Sequence, residues 1–497
     1  MANDPDAFRN TAVTKRFNRK LANADLIPAK QNWNWYNIFA FWMSDVHSVG
    51  GYVFAGTLFA LGLTSWQVLL VLIAGIWIVM ILANLIAKPS QLSGVPYPVI
   101  SRMPFGVYGA NIPALIRGII AIVWYGIQTY LASAALAIIL LKFFPSLSSW
   151  CEYTFLNLSA LGWFSFMLLW AMQTVLFLMK MQAIKVFIDW AGPAVYVVMF
   201  LLMVWIVYQA GWSNIKLNLS EKELTFSQTI IQVFVGIALI VGYFAGPTLN
   251  FGDFSRFCKS MKDVKKGNFW GLPVNFTGFS LIAIITISGT PLVFGRMIED
   301  PLETVAHVDN LGVALLLAFT FVTATVGINI VANFVSAAND VSNLWPSKIS
   351  WRKGGLLAAV ISIFITPWNL YNSPEIIHYT IDVLASCIGP LYGILLVDYY
   401  IIKKQVIKVK DLFSDSPQGT YWYKNGVNPV AVKALAMSGF VSIFCAFVPG
   451  LNALSHLPYI EYFKVLSSFA FFIGMGLAGL FYYQLSIKQN MSKTNQH

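Results

Sequence analysis

Stretches of about twenty apolar residues, separated by short polar or Pro/Gly-rich intervals, recur from residue 36 to residue 486. A run of that length, wound as a helix, crosses about 30 Å of hydrocarbon. The pattern predicts about twelve such segments, roughly at 36–61, 66–87, 112–141, 160–180, 186–210, 228–248, 268–294, 310–337, 354–371, 375–401, 430–449 and 459–486. The expected fold class is therefore an all-α integral membrane protein. The first 35 residues are polar, so no cleavable signal peptide is expected.

Polar residues inside these segments are the informative exceptions, because hydrocarbon tolerates them only where they face protein, water or a ligand. Segment one contains Phe41-Trp42-Met43-Ser44-Asp45-Val46-His47-Ser48-Val49-Gly50-Gly51-Tyr52. Segment six ends with Val241-Gly242-Tyr243-Phe244-Ala245-Gly246-Pro247, whose glycines and proline weaken a continuous helix. Two interrupted segments at matching places in two halves point to an inverted-repeat transporter. They lie five segments apart, an odd number, so the halves enter the membrane from opposite sides. The chain then divides into an N-terminal segment (1–35), a first repeat (36–210), a second repeat (228–401), two accessory segments (430–486) and a tail (487–497).

Three further places carry polar groups at helical spacing. In segment three, Trp124 and Gln128 are four apart and share a face. An indole one turn from a primary amide suits either a flat ligand with hydrogen-bonding edges or a helix interface. In segment eight, Asn329 and Asn333 share a face, with Asp340 on the same side. Buried amides of this kind bind a ligand or join helices. In segment ten, His378, Asp382 and Ser386 form a stripe that serves proton relay or structural pairing. The 88–111 connector is rich in Pro and Gly yet moderately apolar, as in a re-entrant or interfacial element, and Arg102 gives it a charge to pair.

Composition agrees: 58% of residues are hydrophobic and 11% charged. The net charge of +11 reflects topology. About 25 Lys and Arg fall in the termini and loops of one side against about four on the other, which puts both termini in the cytoplasm of a multi-pass protein of the cell membrane. Dispersed basic residues of this kind contact lipid headgroups rather than nucleic acid. The four cysteines show no ligand spacing, and no HExxH, acidic diad or repeated Cys/His pattern is present. Neither an enzyme nor a cofactor is expected.

Several stretches together resemble one family. FWMSDVHSVGGY, RMPFGVYGANIPALIRG, WYGIQ, NFGDFSRF, NIVANFVSAAND, TPWNLYN and GPLYGILLVDYY occur in the order found in nucleobase–cation symporters, which also carry allantoin and hydantoins. The resemblance covers roughly residues 25–430 and implies a LeuT-like fold of two inverted five-helix repeats plus two helices, with alternating access around a midplane site.

The resemblance also implies a substrate site. Trp124 matches the stacking indole and Gln128 its amide partner. Ser48 matches a ligand contact where relatives have Gln or Asn, and Asn333 matches the ligand-binding Asn of segment eight. Tyr243-Phe244 stands where a hydantoin transporter has Gly-Trp, and Ile381 aligns with a thin gate. The sodium site matches less well, because its two hydroxyl positions are Gly327 and Ile328. The carbonyls of Ser44, His47 and Ala324 remain, but a hard cation needs several oxygen ligands. The expectation is thus a symporter for a small flat nucleobase-like compound. Uracil is favoured by GDFSRF, with allantoin, hydantoin or cytosine as alternatives. Proton coupling through Asp45, His47 or Asp382 is favoured over Na+.

Overall fold

The computed structural model describes residues 17–46, 49–178, 181–217, 222–298, 311–451 and 460–494. The first segment contains α1 (Trp35–Val46) and α2 (Val49–Thr57). Then come α3 (Ser65–Ser93), α4 (Asn111–Phe143), α5 (Ala160–Leu178), α6 (Met181–Ala210) and α7 (Phe226–Leu249). The seventh segment is α8 (Met261–Phe269), a π-turn over Trp270–Val274, and α9 (Asn275–Phe294). The eighth is α10 (Leu311–Ile328), a π-turn over Asn329–Phe334, and α11 (Val335–Leu344). The remainder is α12 (Trp351–Phe364), α13 (Pro374–Leu396), α14 (Pro429–Phe447), α15 (Ile460–Ser468) and α16 (Ala470–Thr494). Among the described residues, nine helices are long and apolar enough to cross a membrane.

Local chemistry sets several of these boundaries. Both α3 and α7 begin with a capping box: Thr64 with Gln67, and Thr225 with Gln228. Each threonine oxygen accepts the N3 amide while the glutamine returns to the cap amide, satisfying two donors the helix leaves open. Ser373 and Asn428 cap α13 and α14, each followed by a proline at the first helical position. Gly94 closes α3 in the left-handed region (φ 75°), where other residues are strained.

Two expectations about helix continuity need correction. Segment six does not break at Gly242, Gly246 or Pro247, because α7 runs unbroken to Leu249. One proline removes one donor, and the Gly246 carbonyl is held twice, by Asn250 N and by Arg117 Nε at 3.2 Å. The chain turns only at Asn250. The corresponding stretch of segment one includes His47 and Ser48, which lie outside the described residues. Segment nine stops at Phe364 rather than 371, since Thr366 precedes a proline and takes a left-handed conformation (φ 50°).

The connector between α3 and α4 folds as two helical turns, Tyr97–Ile100 and Arg102–Phe105, and every residue of both turns is buried. The charge of Arg102 is met by neutral oxygens. Its Nη1 donates to the Leu412 carbonyl (2.9 Å) and its Nη2 to Asn343 Oδ1 (2.7 Å). Burial lowers its guanidinium to a pKa of about 9. The accessory α16 packs extensively on α13, where Gly389 and Gly393 bring the Phe471 and Met475 carbonyls against the opposing backbone.

Candidate functional site

A ring of aromatic side chains closes around Trp124, midway along α4. The Trp124 indole meets Tyr243 of α7 edge-on at 5.2 Å and Tyr371, in the α12–α13 turn, at 6.1 Å. Tyr243 in turn stacks on Phe54 of α2 at 4.6 Å with an interplanar angle of 4°. Phe244 continues the cluster toward Phe276. These rings come from both halves of the chain and are all buried apart from their facing edges.

Gln128 supplies the polar group of this region. It lies one turn beyond Trp124, is 3% exposed, and its Oε1 has no hydrogen-bond partner. A buried carbonyl oxygen left bare costs about 1–3 kcal/mol unless something fills it. Its amide lies flat against Gly50: a Cβ added there would come within 2.8 Å of Gln128 Nε2. Gly50 is therefore needed for this close approach. The Gly50 carbonyl also accepts the Tyr371 hydroxyl at 3.0 Å, tying the turn before α13 to the first segment. Tyr371 was not singled out from sequence, although it lies in the TPWNLYN stretch. Ile381 packs against Gly242, where an added Cβ would be 3.2 Å from its Cγ2, so this side chain wedges α13 against α7.

The segment-eight amides sit in the π-turn Asn329–Phe334. A π-turn widens the helix by one residue and frees backbone and side-chain positions, as often happens at functional sites. Asn329 Nδ2 reaches the Tyr125 carbonyl (3.0 Å), Thr129 Oγ1 (3.0 Å) and Gln173 Oε1 (2.7 Å). Asn333 Nδ2 donates to Asn329 Oδ1 at 3.0 Å. Asn329 thus joins α4, α5 and segment eight, and Asn333 is the outer member of the network. Gly327 and Ile328 are buried and offer no side-chain oxygen; the side chain of Ala324 lies outside what is described.

The ionisable candidates separate. Asp45, in the last turn of α1, is buried with Oδ1 unpartnered, next to buried Ser44. Asp382 faces elsewhere: its Oδ2 accepts the hydroxyls of Ser467 (2.9 Å) and Ser468 (3.3 Å) at the end of α15. It therefore does not join the aromatic ring, and His378 meets Thr57 Oγ1 at 2.9 Å instead of continuing the stripe. Ser48 and His47 are outside the described residues.

Sequence reasoning passed over a second polar group, formed by Arg117, Asp253, Asp340, Asn250 and Tyr97. Arg117 is fully buried in α4, two turns before Trp124 on the same face. The signal was available, since an arginine inside a spanning segment is a functional-site hypothesis by default.

Helices of spanning length around a buried aromatic and amide site, built from both halves of the chain, define a multi-pass membrane transporter. Residues 27–463 match the family described as permeases for cytosine/purines, uracil, thiamine and allantoin, and the chain belongs to that family. It is 35% identical over 458 residues to the allantoin permease of Bacillus subtilis, covering 91% of this chain and 93% of the relative. It is 32% identical over 490 residues to the purine-uracil permease NCS1 of Arabidopsis thaliana, covering 97% and 81%. Among solved structures it resembles Mhp1, a nucleobase-cation-symport-1 family transporter, closed with bromovinylhydantoin bound. There the TM-score is 0.74 at 22% identity, covering 95% of this chain and 96% of that one. The fold is thus LeuT-like, with five-plus-five inverted repeats and two added helices.

Proposed function

We propose that the protein imports a flat cyclic ureide by alternating access, driven by the proton gradient across the cell membrane, with both termini in the cytoplasm. The observation that carries the substrate class is the bare Gln128 Oε1, set one turn from the Trp124 indole, which itself meets the Tyr243 ring edge-on. Uracil, allantoin, hydantoin and cytosine each present a planar ring face and ring N–H or exocyclic N–H donors. A ring face stacks on an aromatic, and an N–H satisfies the waiting carbonyl. Asn333, Phe244, Ile381 and Ser48 complete the proposed binding set.

Uracil is favoured by the GDFSRF stretch at residues 252–257. Allantoin is the second substrate reading, supported by the 35% identity with an allantoin permease. Proton rather than sodium coupling is supported by Gly327 and Ile328, which place no hydroxyl where a sodium site would need one. Of the three acid–base candidates named above, Asp45 retains an unpartnered oxygen, while Asp382 is engaged by two serines.

Cells expressing the protein should accumulate one of labelled uracil, allantoin, hydantoin or cytosine. Uptake should collapse with a protonophore and be indifferent to sodium. Uptake that follows sodium and ignores the protonophore would overturn the coupling, and no uptake of any of the four would overturn the substrate class.

A further inference from the structure

Two turns from Trp124, toward the face that carries the N-terminal segment, lies a sealed polar chamber. Arg117 of α4 enters it fully buried. Its Nε donates to the Gly246 carbonyl, while Nη1 and Nη2 have no hydrogen-bond partner. Among the described residues no carboxylate comes within 4.0 Å of this guanidinium. Asp340 of α11 and Asp253, just beyond α7, are also fully buried.

A single amide serves both acids: Asn250 Nδ2 lies 3.2 Å from Asp253 Oδ2 and 3.3 Å from Asp340 Oδ2. Asp253 Oδ1 additionally accepts the Tyr97 backbone amide at 2.9 Å. Asp340 Oδ1 has nothing. The helices meet closely here, since a Cβ on Gly118 would be 3.4 Å from Asp340 Cβ.

The charges facing Asp340 can be named from each element around it. Arg117 comes from α4, Asp253 from the turn after α7, and the Tyr97 hydroxyl from the connector. Asp45 of α1 and Tyr392 of α13 face Arg117 from further round. Helix α12 packs through Gly354 and Gly355, and its Arg352 and Lys353 are exposed. Three carboxylates therefore surround Arg117 in a buried interior, and Asp253 also feels the buried Arg256 guanidinium. Like charges so buried are not all ionised together, and the acid with the fewest donors gives up its charge first. Of the two acids that share the Asn250 amide, Asp253 has both oxygens engaged by N–H groups and Asp340 has one oxygen bare.

A route to solvent ends one turn away. A cleft of about 230 Å³ is lined by Lys20, Tyr108, Asn111, Asn343 and Trp345, among others. Asn343 Nδ2 donates to Asn111 Oδ1 at 3.0 Å, and Asn343 Oδ1 accepts from Arg102. These amides form a floor between the cleft and Asp340, which precedes Asn343 by three residues on α11 and so lies on the same side.

We propose that Asp340 is the proton-carrying residue of the transport cycle, paired with Asp253 and facing Arg117. This rests on the proton-coupled reading above and deepens it by moving the proton from the first repeat to the second. With the chamber sealed, Asp340 is the neutral acid. When the Asn111–Asn343 floor parts, water reaches it, the carboxyl O–H breaks, the proton passes to water, and Arg117 stays charged beside the carboxylate left behind. Protonation and substrate binding favour the same closed form, so substrate binding draws a proton in.

The test uses full-length protein. In weakly buffered detergent solution near neutral pH, addition of uracil or allantoin to the wild type should take up about one proton per substrate bound, and Asp340→Asn should take up none. In proteoliposomes Asp340→Asn should lose accumulation driven by a pH gradient yet keep uracil or allantoin exchange at equal pH. If the wild type takes up protons and Asp340→Asn matches it, the assignment is overturned with proton coupling intact. If Asp340→Asn binds substrate but loses exchange along with accumulation, the residue serves opening alone and the assignment is again overturned. A wild type with neither proton uptake nor gradient-driven accumulation overturns the coupling itself. Asp253→Asn keeps the proposal testable should Asp340→Asn fail to fold. Removing the neighbouring carboxylate should move the pH midpoint of substrate affinity downward, and an unmoved midpoint counts against Asp340.

Discussion

Helix α4 presents two polar stations on one face, two turns apart, and they are built on opposite principles. At Trp124 and Gln128 the groups are neutral, the partners are rings, and a single oxygen is left bare. At Arg117 the groups are charged, the partners are other charged or amide side chains, and several atoms are left bare. A neutral station recognises shape and a few hydrogen bonds at little electrostatic cost. A charged station in a dry interior is costly in any single protonation state, which fits it for changing state during a cycle. One rigid helix holds both, so a shift that seals one is transmitted to the other over about 10 Å.

The largest expected effect lies at the neutral station. Gln128→Ala removes the amide one turn from the Trp124 indole, and substrate affinity should fall about 100-fold, or about 2.7 kcal/mol, while thermal unfolding is unchanged. Gly50→Ala is the sharper variant. The added methyl would meet the end of the Gln128 side chain, which can move aside without disturbing the backbone. Folding should therefore survive while binding drops nearly as far, as read by isothermal titration with uracil and allantoin. Wild-type affinity in both variants would remove Gln128 from the site.

Next in size is a contrast within segment eight. Asn329→Ala strands Gln173 Oε1 and removes three contacts between helices, so about 2–3 kcal/mol of stability should be lost. Asn333→Ala removes only the outer bond to Asn329 and should spare the melting temperature while lowering affinity. Were both variants equally unstable, Asn333 would be part of the structural joint and no part of the substrate site.

How much of this was legible in the sequence depends on which force writes each feature. Segment positions follow from hydropathy alone, which is why α3, α4, α7 and α13 fall where the apolar runs do. Trp124 and Gln128 were legible because four-residue spacing is a local property. The continuity of α7 was not, because the Gly246 carbonyl is held by an arginine 129 positions away. The partners of Asp382 were hidden for the same reason, being serines of α15 that no local pattern ties to it. The chamber combines residues 97, 117, 250, 253 and 340; Arg117 and Asp340 stood out one by one along the chain, but no local pattern joins them to the other three.

Outside the membrane-spanning helices, the same charges in water give the smallest effect. Lys20 and Asp415 form an ion pair at 3.2 Å that fastens the N-terminal segment to the loop before α14, with Tyr108 and Asn18 also donating to Asp415. Partial burial would raise the Asp415 carboxyl, but hydrogen bonds from Tyr108, Lys20 and Asn18 outweigh it and hold the group below its ordinary range. A carboxyl lowered by folding adds stability above its unfolded value, near 4, and loses it as pH falls through the folded value. Lys20 is 72% exposed, so water and salt screen the pair and its contribution should stay below about 1 kcal/mol. Asp415→Asn should therefore leave uptake unchanged at pH 7 and lower the melting temperature only slightly, with the difference from wild type vanishing as pH falls through the folded value and shrinking in high salt. A drop in transport as large as that expected for Asp340→Asn would mean that the N-terminal strap, and not the buried chamber, governs opening of this face.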